Sequence, residues 1–397
     1  MRILYHHRTA SSDGQAVHIV EMIDALRALG HEVRVVAPAA ADPSAMGSEV
    51  GWVSRLRRAL PGAVYELLEL AYSLVAFLRL LRVARAFRPD IIYERYNLFM
   101  LGGVAAAHVL RVPLLLEVNA PLASERARFG GLSLPRLAHW AERRSWQGAA
   151  HVLAVTGVLR DMIVAQGVAP ARVMVIPNGV NEAHFQRAPS TSAAKARLGL
   201  AGRLVLGFTG FVRDWHGVDR VVRWMHDSAP SSVHLLVVGD GPARAGLETL
   251  AAELDVAERV TFTGVVERAE VPAHVAAFDI ALQPAVVGYA SPLKLFEYMA
   301  LGKAIVAPRQ PNVEEVLIDG SNALLFDAGN ARGLQVALER LVGDAALRSA
   351  LGAEAARTIS RQGFSWRENA RRVVALGERY AQHAPPAGKR YPWRSAD

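Results

Sequence analysis

The chain has 397 residues, 52% of them apolar and 21% charged, which excludes a disordered or fibrous protein and gives room for two domains. A net charge of +8 favours anionic partners, phosphorylated ligands or an anionic membrane, whereas no repeated basic-aromatic module supports nucleic acid. The lack of cysteine excludes disulfides and thiolate metal sites and fits a reducing compartment.

Met1-Arg2-Ile3-Leu4-Tyr5 enters a strand-like run directly, without the architecture of a signal peptide. The longest apolar stretch, near residues 70–78, is bounded by Glu69 and Arg79 and is too short for a bilayer span. The expectation is a cytoplasmic protein, soluble or peripheral on the inner face of the cell membrane.

A buried strand at 3–5 is followed by a loop from His6 to Gly14. Val17, Val20, Ile23, Leu26 and Leu29 then recur at helical spacing, and Gly30 suits the position after a helix C-terminus. With a strand at 32–37 this makes a β-loop-α-β unit, the mark of a parallel sheet. Gly14 permits close backbone approach to a ligand. His18 is either a substrate contact or a structural histidine.

Residues 53–88 set Arg55, Arg57, Arg58, Arg79, Arg82, Arg85 and Arg88 around a leucine-rich stripe. Such a segment is either a packed helix with a solvated arginine face or a surface for an anionic membrane or lipid-linked acceptor. Strands follow at 90–93 and Leu114–Val118, the latter opening into Glu117-Val118-Asn119-Ala120-Pro121. Polar residues at the end of a parallel strand point into the ligand crevice, so Glu117 and Asn119 are candidates for touching a reacting group. A strand at 151–155, a helix capped by Thr156 and a strand at 173–176 lead to Pro177-Asn178-Gly179-Val180.

After a linker-like stretch at 188–192 the alternation restarts, with strands at Leu204–Thr209, Val233–Val238, 260–263, Ile280–Leu282 and 304–306. Two doubly wound α/β halves result. Gly210-Phe211-Val212-Arg213-Asp214-Trp215-His216-Gly217 offers bendable backbone, a guanidinium fork and a following helix N-terminus. Gly239-Asp240-Gly241-Pro242 lacks the dinucleotide spacing, and no phosphate-loop or metal-ligand pattern occurs. In Ser291-Pro292-Leu293-Lys294-Leu295-Phe296-Glu297-Tyr298-Met299-Ala300, Ser291 is expected to cap a helix that starts at Pro292. Lys294 and Glu297 share one face near its positive end, either as a surface pair or as part of an anion site.

These motifs resemble the retaining glycosyltransferases of family 4. The specific marks are Pro177-Asn178-Gly179-Val180, Gly239-Asp240-Gly241-Pro242, and Phe296-Glu297-Tyr298-Met299-Ala300 followed by Gly302. The resemblance implies a GT-B fold, two Rossmann-like domains facing each other across a cleft. Its expected boundaries are 1–183 on the acceptor side, 184–364 for the nucleotide sugar, a crossing helix at 365–382 that permits hinge closure, and a flexible tail at 383–397.

It also implies transfer of a sugar from a UDP- or GDP-linked donor to an acceptor hydroxyl, with no cofactor or metal; the 53–88 segment and the net charge point to a sugar or lipid-linked acceptor in cell-envelope or exopolysaccharide synthesis. A nucleotide-sugar 2-epimerase and an idle sugar-nucleotide binder are the alternatives. The implied catalytic residues are Glu117, Asn119, Arg213 and Lys294. The implied donor contacts are Gly14, Arg213, His216, Gly241, Ser291, Leu293, Lys294 and Glu297, with Glu297 on the ribose hydroxyls and Lys294 on the diphosphate. Tyr289 stands where the family carries a second glutamate, and Phe211 and His216 where it carries Arg and Lys. That pattern resembles a variant branch with Trp-His-Gly and Ser-Pro-Leu-Lys, in which Arg213 and Lys294 replace the lost charges.

Overall fold

The computed structural model describes residues 1–9, 14–38 and 59–383. Arg55, Arg57 and Arg58 of the basic segment, and the tail after residue 383, lie outside the described residues. Two compact units are present, Met1–Pro177 with the chain from Arg367 onward, and Asn178–Trp366.

Among the described residues, the first unit holds β1 (Arg2–His6), β2 (Glu32–Val36), β3 (Ile91–Arg95), β4 (Leu114–Val118), β5 (His151–Ala154) and β6 (Val173–Val175). They form one parallel sheet in the order β2-β1-β3-β4-β5-β6. Runs such as Leu114-Leu115-Leu116 are buried on both faces, as a helix-covered parallel sheet requires. The chain steps from β1 to β2 on one side and returns to β3 on the other. The crevice of this unit therefore opens between the ends of β1 and β3, where His6 and Glu94 are register partners.

Of the apolar positions expected in the first helix, Gly14–Ala28 in the structure, Ile23 and Leu26 are buried, Val17 and Leu29 are half-buried and Val20 is 48% exposed; His18, Ile19 and Met22 are buried beside them. His18 faces the sheet, where its Nε2 lies 2.8 Å from Glu117. The helix Gly62–Phe87 ends at Arg88, which adopts a left-handed φ of 51° just before Pro89. The last helix, Trp366–His383, packs within the first unit. Tyr380 Oη donates to the Ala150 carbonyl at 2.8 Å, and Asn369 Nδ2 to that of Pro177 at 2.7 Å. No helix among the described residues is long and apolar enough to cross a membrane.

The second unit repeats the plan with β7 (Leu204–Thr209), β8 (Val233–Val238), β9 (Val260–Phe262), β10 (Ile280–Leu282), β11 (Ala304–Pro308) and β12 (Leu324–Phe326). Their order is β12-β11-β10-β7-β8-β9, which puts the switch point between β7 and β10. One face of the sheet packs on Phe278, Phe296 and Met299, the other on Trp224, Met225 and Leu338. The stretch at 188–192, expected as a linker, leads into the helix Thr191–Arg197, whose first turn is capped by the Ser190 hydroxyl accepting from Ala193.

Candidate active site

Three segments meet at the switch point of the second unit. β7 ends in Phe208 and Thr209 and continues as the 210–217 loop; β10 continues as the 283–292 loop; the helix Leu293–Ala300 follows directly. Tyr298 joins the helix to β7, its hydroxyl accepting from the Thr209 N–H at 2.9 Å and lying 3.1 Å from Thr209 Oγ1. Lys294 is one turn earlier on that face, so its Nζ extends over the Phe208 ring, 3.6 Å from the centroid. A Cβ on Gly210, whose φ is +119°, would stand only 3.4 Å from that nitrogen. Burial pulls the Lys294 ammonium down to a pKa of about 7, against the opposing charge of Glu297. A phosphate placed there would restore the proton and the charge.

His216 and Arg213 stand near Lys294. His216 Nδ1 accepts from the Arg213 N–H at 3.2 Å, which puts the ring proton on Nε2. Burial, then the charges of Lys294 and Arg213, lower His216 to about 3, so it is a neutral hydrogen-bond donor at physiological pH. The Arg213 guanidinium stacks 4.9 Å from the Phe211 centroid and 4.7 Å from that of Trp215. Stacking occupies the faces of the guanidinium and orients its N–H edge.

Ser291 does not cap the helix. The helix starts at Leu293 with Pro292, in extended backbone, at the cap position and no side-chain cap. Ser291 thus lies one residue before the cap position. Its hydroxyl instead accepts from the Asn178 N–H at 3.2 Å, while Asn178 Nδ2 donates to the Ser291 carbonyl at 2.5 Å. The first N–H groups of the helix, at Leu293 and Lys294, have no partner within the helix itself. Gly241 has a packing reason to be glycine: a Cβ there would overlap the Val212 backbone of the neighbouring loop. Val212 N–H donates to the Asp240 carbonyl at 2.9 Å, which zips the two loops together.

In the first unit, Glu117 ends β4 and is buried. Its carboxylate accepts from His18 Nε2 at 2.8 Å, Tyr93 Oη at 2.6 Å, Asn119 Nδ2 at 2.5 Å, and Arg95 Nη1. Burial alone would raise this carboxyl, but the His18 and Arg95 charges and the bonds from His18 and Tyr93 hold it well below the usual range. A carboxylate so engaged suits orientation of His18 and Asn119, not proton transfer at neutral pH. Gly14, by contrast, is exposed at the first position of its helix.

Two family models match the chain: Glycosyltransferase Family 4 over residues 12–184 and Glycosyl transferases group 1 over residues 203–344. The chain belongs to the family-4 type of glycosyltransferase. It is 29% identical over 409 residues to a D-inositol 3-phosphate glycosyltransferase of Kineococcus radiotolerans, covering 94% of this chain and 92% of the relative. It is 28% identical over 296 residues to a GDP-mannose-dependent alpha-(1-6)-phosphatidylinositol monomannoside mannosyltransferase of Mycolicibacterium smegmatis, covering 71% and 77%. Among solved structures, Anabaena Alr3699/HepE in complex with UDP superposes with a TM-score of 0.74 at 19% identity, covering 96% of this chain and all of that one. WaaG, a glycosyltransferase involved in lipopolysaccharide biosynthesis, gives 0.67 at 19%, covering 96% and 99%. The two Rossmann-like units are thus those of the GT-B fold.

Several buried residues near the switch points of the two units escape a reading of the sequence. Asn312 is buried and its Nδ2 donates to the carbonyls of Val287 at 3.2 Å and Ala290 at 2.8 Å, pinning the loop that carries Tyr289. His6 Nδ1 lies 2.5 Å from Glu94 Oε2, both buried, at the crevice of the first unit. Gly103, near the start of the helix Gly102–Leu110, leaves space that the Glu94 carboxylate fills. The available signal is positional: His6 ends β1 and Glu94 is the last residue but one of β3, the two strands that flank the switch point.

Proposed function

We propose that the protein transfers a sugar, with retention of anomeric configuration, from a UDP- or GDP-linked donor to a hydroxyl of a sugar or lipid-linked acceptor in cell-envelope or polysaccharide synthesis. The observation that carries the donor reading is Lys294 lying over Phe208 beside Glu297, at the switch point of the second unit. A diphosphate at the start of the helix Leu293–Ala300 would meet free N–H groups, the helix dipole, Lys294 and the neutral His216 donor. Glu297, one turn in, can accept from both ribose hydroxyls. Lys294 and Arg213 then neutralise the charge that grows as the nucleotide leaves, and the donor's own β-phosphate oxygen takes the acceptor proton. In the first unit, Asn119 and His18, fixed by Glu117, orient the acceptor or the sugar.

The comparisons support this reading. Anabaena Alr3699/HepE has been crystallised with UDP and with UDP-glucose, and two relatives act on inositol-containing acceptors by name. The test is nucleotide release across a panel of UDP- and GDP-sugars, with and without acceptor, followed by NMR of the product anomer. Acceptor-dependent release with a retained anomer is expected. An inverted product, or an epimerised sugar formed from donor alone, would overturn the proposal.

A further inference from the structure

The helix Gly62–Phe87 carries an outward face that the transfer reaction does not use. Val64, Leu67, Leu68, Leu74, Val75 and Leu78 recur at helical spacing along four turns and are 43%, 52%, 46%, 62%, 41% and 55% exposed. Isolated exposed leucines are ordinary, but a contiguous stripe on one helix marks a contact surface. Over the last two turns the same face changes to Arg79, Arg82 and Arg85, all exposed. The acids of this helix are turned away from that face. Glu66 is buried and accepts the Ser133 and Leu134 N–H groups at 2.7 and 2.8 Å; Glu69 pairs with Arg126 at 2.5 Å and Arg8 at 3.4 Å. What the helix presents outward is therefore apolar at one end and cationic at the other.

A groove of about 310 Å³ continues the cationic end, with Arg82 and Ala86 shared between groove and face. Arg2 and Arg34 stand on its other walls, Arg34 over the Phe87 ring at 5.4 Å and Arg2 paired with Glu32 at 3.4 Å. Three guanidinium groups against one carboxylate leave the groove net positive, suited to phosphate oxygens.

We infer that this face docks on an anionic lipid surface, the leucine stripe entering the acyl boundary and the arginine end with its groove taking lipid phosphates. The occupant follows from charge: both acids of this helix are turned off the face, so the same face of a second copy would offer its arginines no counter-charge, whereas an anionic bilayer complements both ends of the face. The helix is too polar to span, which fits a surface attachment. The inference is independent of the donor reading, because vesicle binding needs neither nucleotide nor turnover.

The test is flotation of the full chain with phosphatidylcholine vesicles and with vesicles containing a third phosphatidylglycerol, at low and high salt. Binding only to the anionic vesicles, weakened by salt, is expected. Leu74→Ser with Leu78→Ser should reduce partitioning about tenfold, as should Arg79→Glu with Arg82→Glu, with unchanged melting temperatures because all four sites are exposed. Equal binding to both vesicle types, or folded variants that partition like wild type, would overturn the inference. So would a dimer by light scattering that the leucine variant converts to monomer, since the face would then belong to a second copy.

Discussion

Lys294 Nζ sits 3.6 Å above the ring of Phe208, so that a helix following β10 places its amine on the last apolar residue of β7. The ring attracts the ammonium electrostatically, yet burial still brings the Lys294 pKa down to about 7. An anion placed beside this amine would therefore restore its full charge.

That pKa gives a pH dependence of known sign. The folded value is below the unfolded 10.5, so this group costs stability increasingly as pH falls from about 10 to about 7, and no more below that. A bound diphosphate raises the pKa, so nucleotide binding takes up a proton above pH 7. Affinity for the preferred nucleotide should fall between pH 7 and 9, approaching tenfold per unit. Calorimetry in buffers of different ionisation enthalpy checks the proton uptake. Lys294→Met should abolish it, bind nucleotide at least about tenfold more weakly, and melt no lower than wild type without ligand.

Glu117 is a fixed anion with four donors around it. Glu117→Gln leaves the buried Arg95 without its counter-charge and should cost about 3–5 kcal/mol in urea unfolding. The native carboxyl is held below its unfolded value, so its contribution is present above about pH 4.5 and is lost as pH falls further. The wild type should therefore lose stability on acidification more steeply than Glu117→Gln does, measured as midpoint against pH from 6 to 3.

Tyr298 fixes the helix Leu293–Ala300 to β7 through the buried Thr209 N–H. Tyr298→Phe removes that acceptor and should destabilise the protein by about 1–3 kcal/mol. Nucleotide affinity should fall as well, because Lys294 and Glu297 lie on the helix that Tyr298 positions. Paired denaturation and titration experiments separate the two effects.

Much of this architecture is legible in the sequence for one reason. Strands of a parallel sheet are buried on both faces, so Leu114–Val118, Leu204–Thr209, Val233–Val238 and Ile280–Leu282 stand out as apolar runs with the bounds they have in the structure. β12 (Leu324–Phe326) is not among the expected strands, although it is as long as β10 (Ile280–Leu282). The burial of His18 in the helix Gly14–Ala28 is not legible, because this polar residue is buried by its bond to Glu117 rather than by hydrophobicity. The Lys294–Phe208 stack, the Asn178–Ser291 tie and the His6–Glu94 pair join residues far apart in sequence, and only strand order brings them together. Lys294 and Glu297 themselves were visible as an i,i+3 pair, but nothing local distinguished a phosphate contact from a surface ion pair.

Calorimetric titration of UDP and GDP into wild type and Glu297→Ala tests the central claim most directly. The account predicts saturable binding of at least one nucleotide, weakened in the folded variant by about 1–3 kcal/mol through loss of charged hydrogen bonds to the ribose. Nucleotide affinity unchanged in a folded Glu297→Ala protein would contradict it.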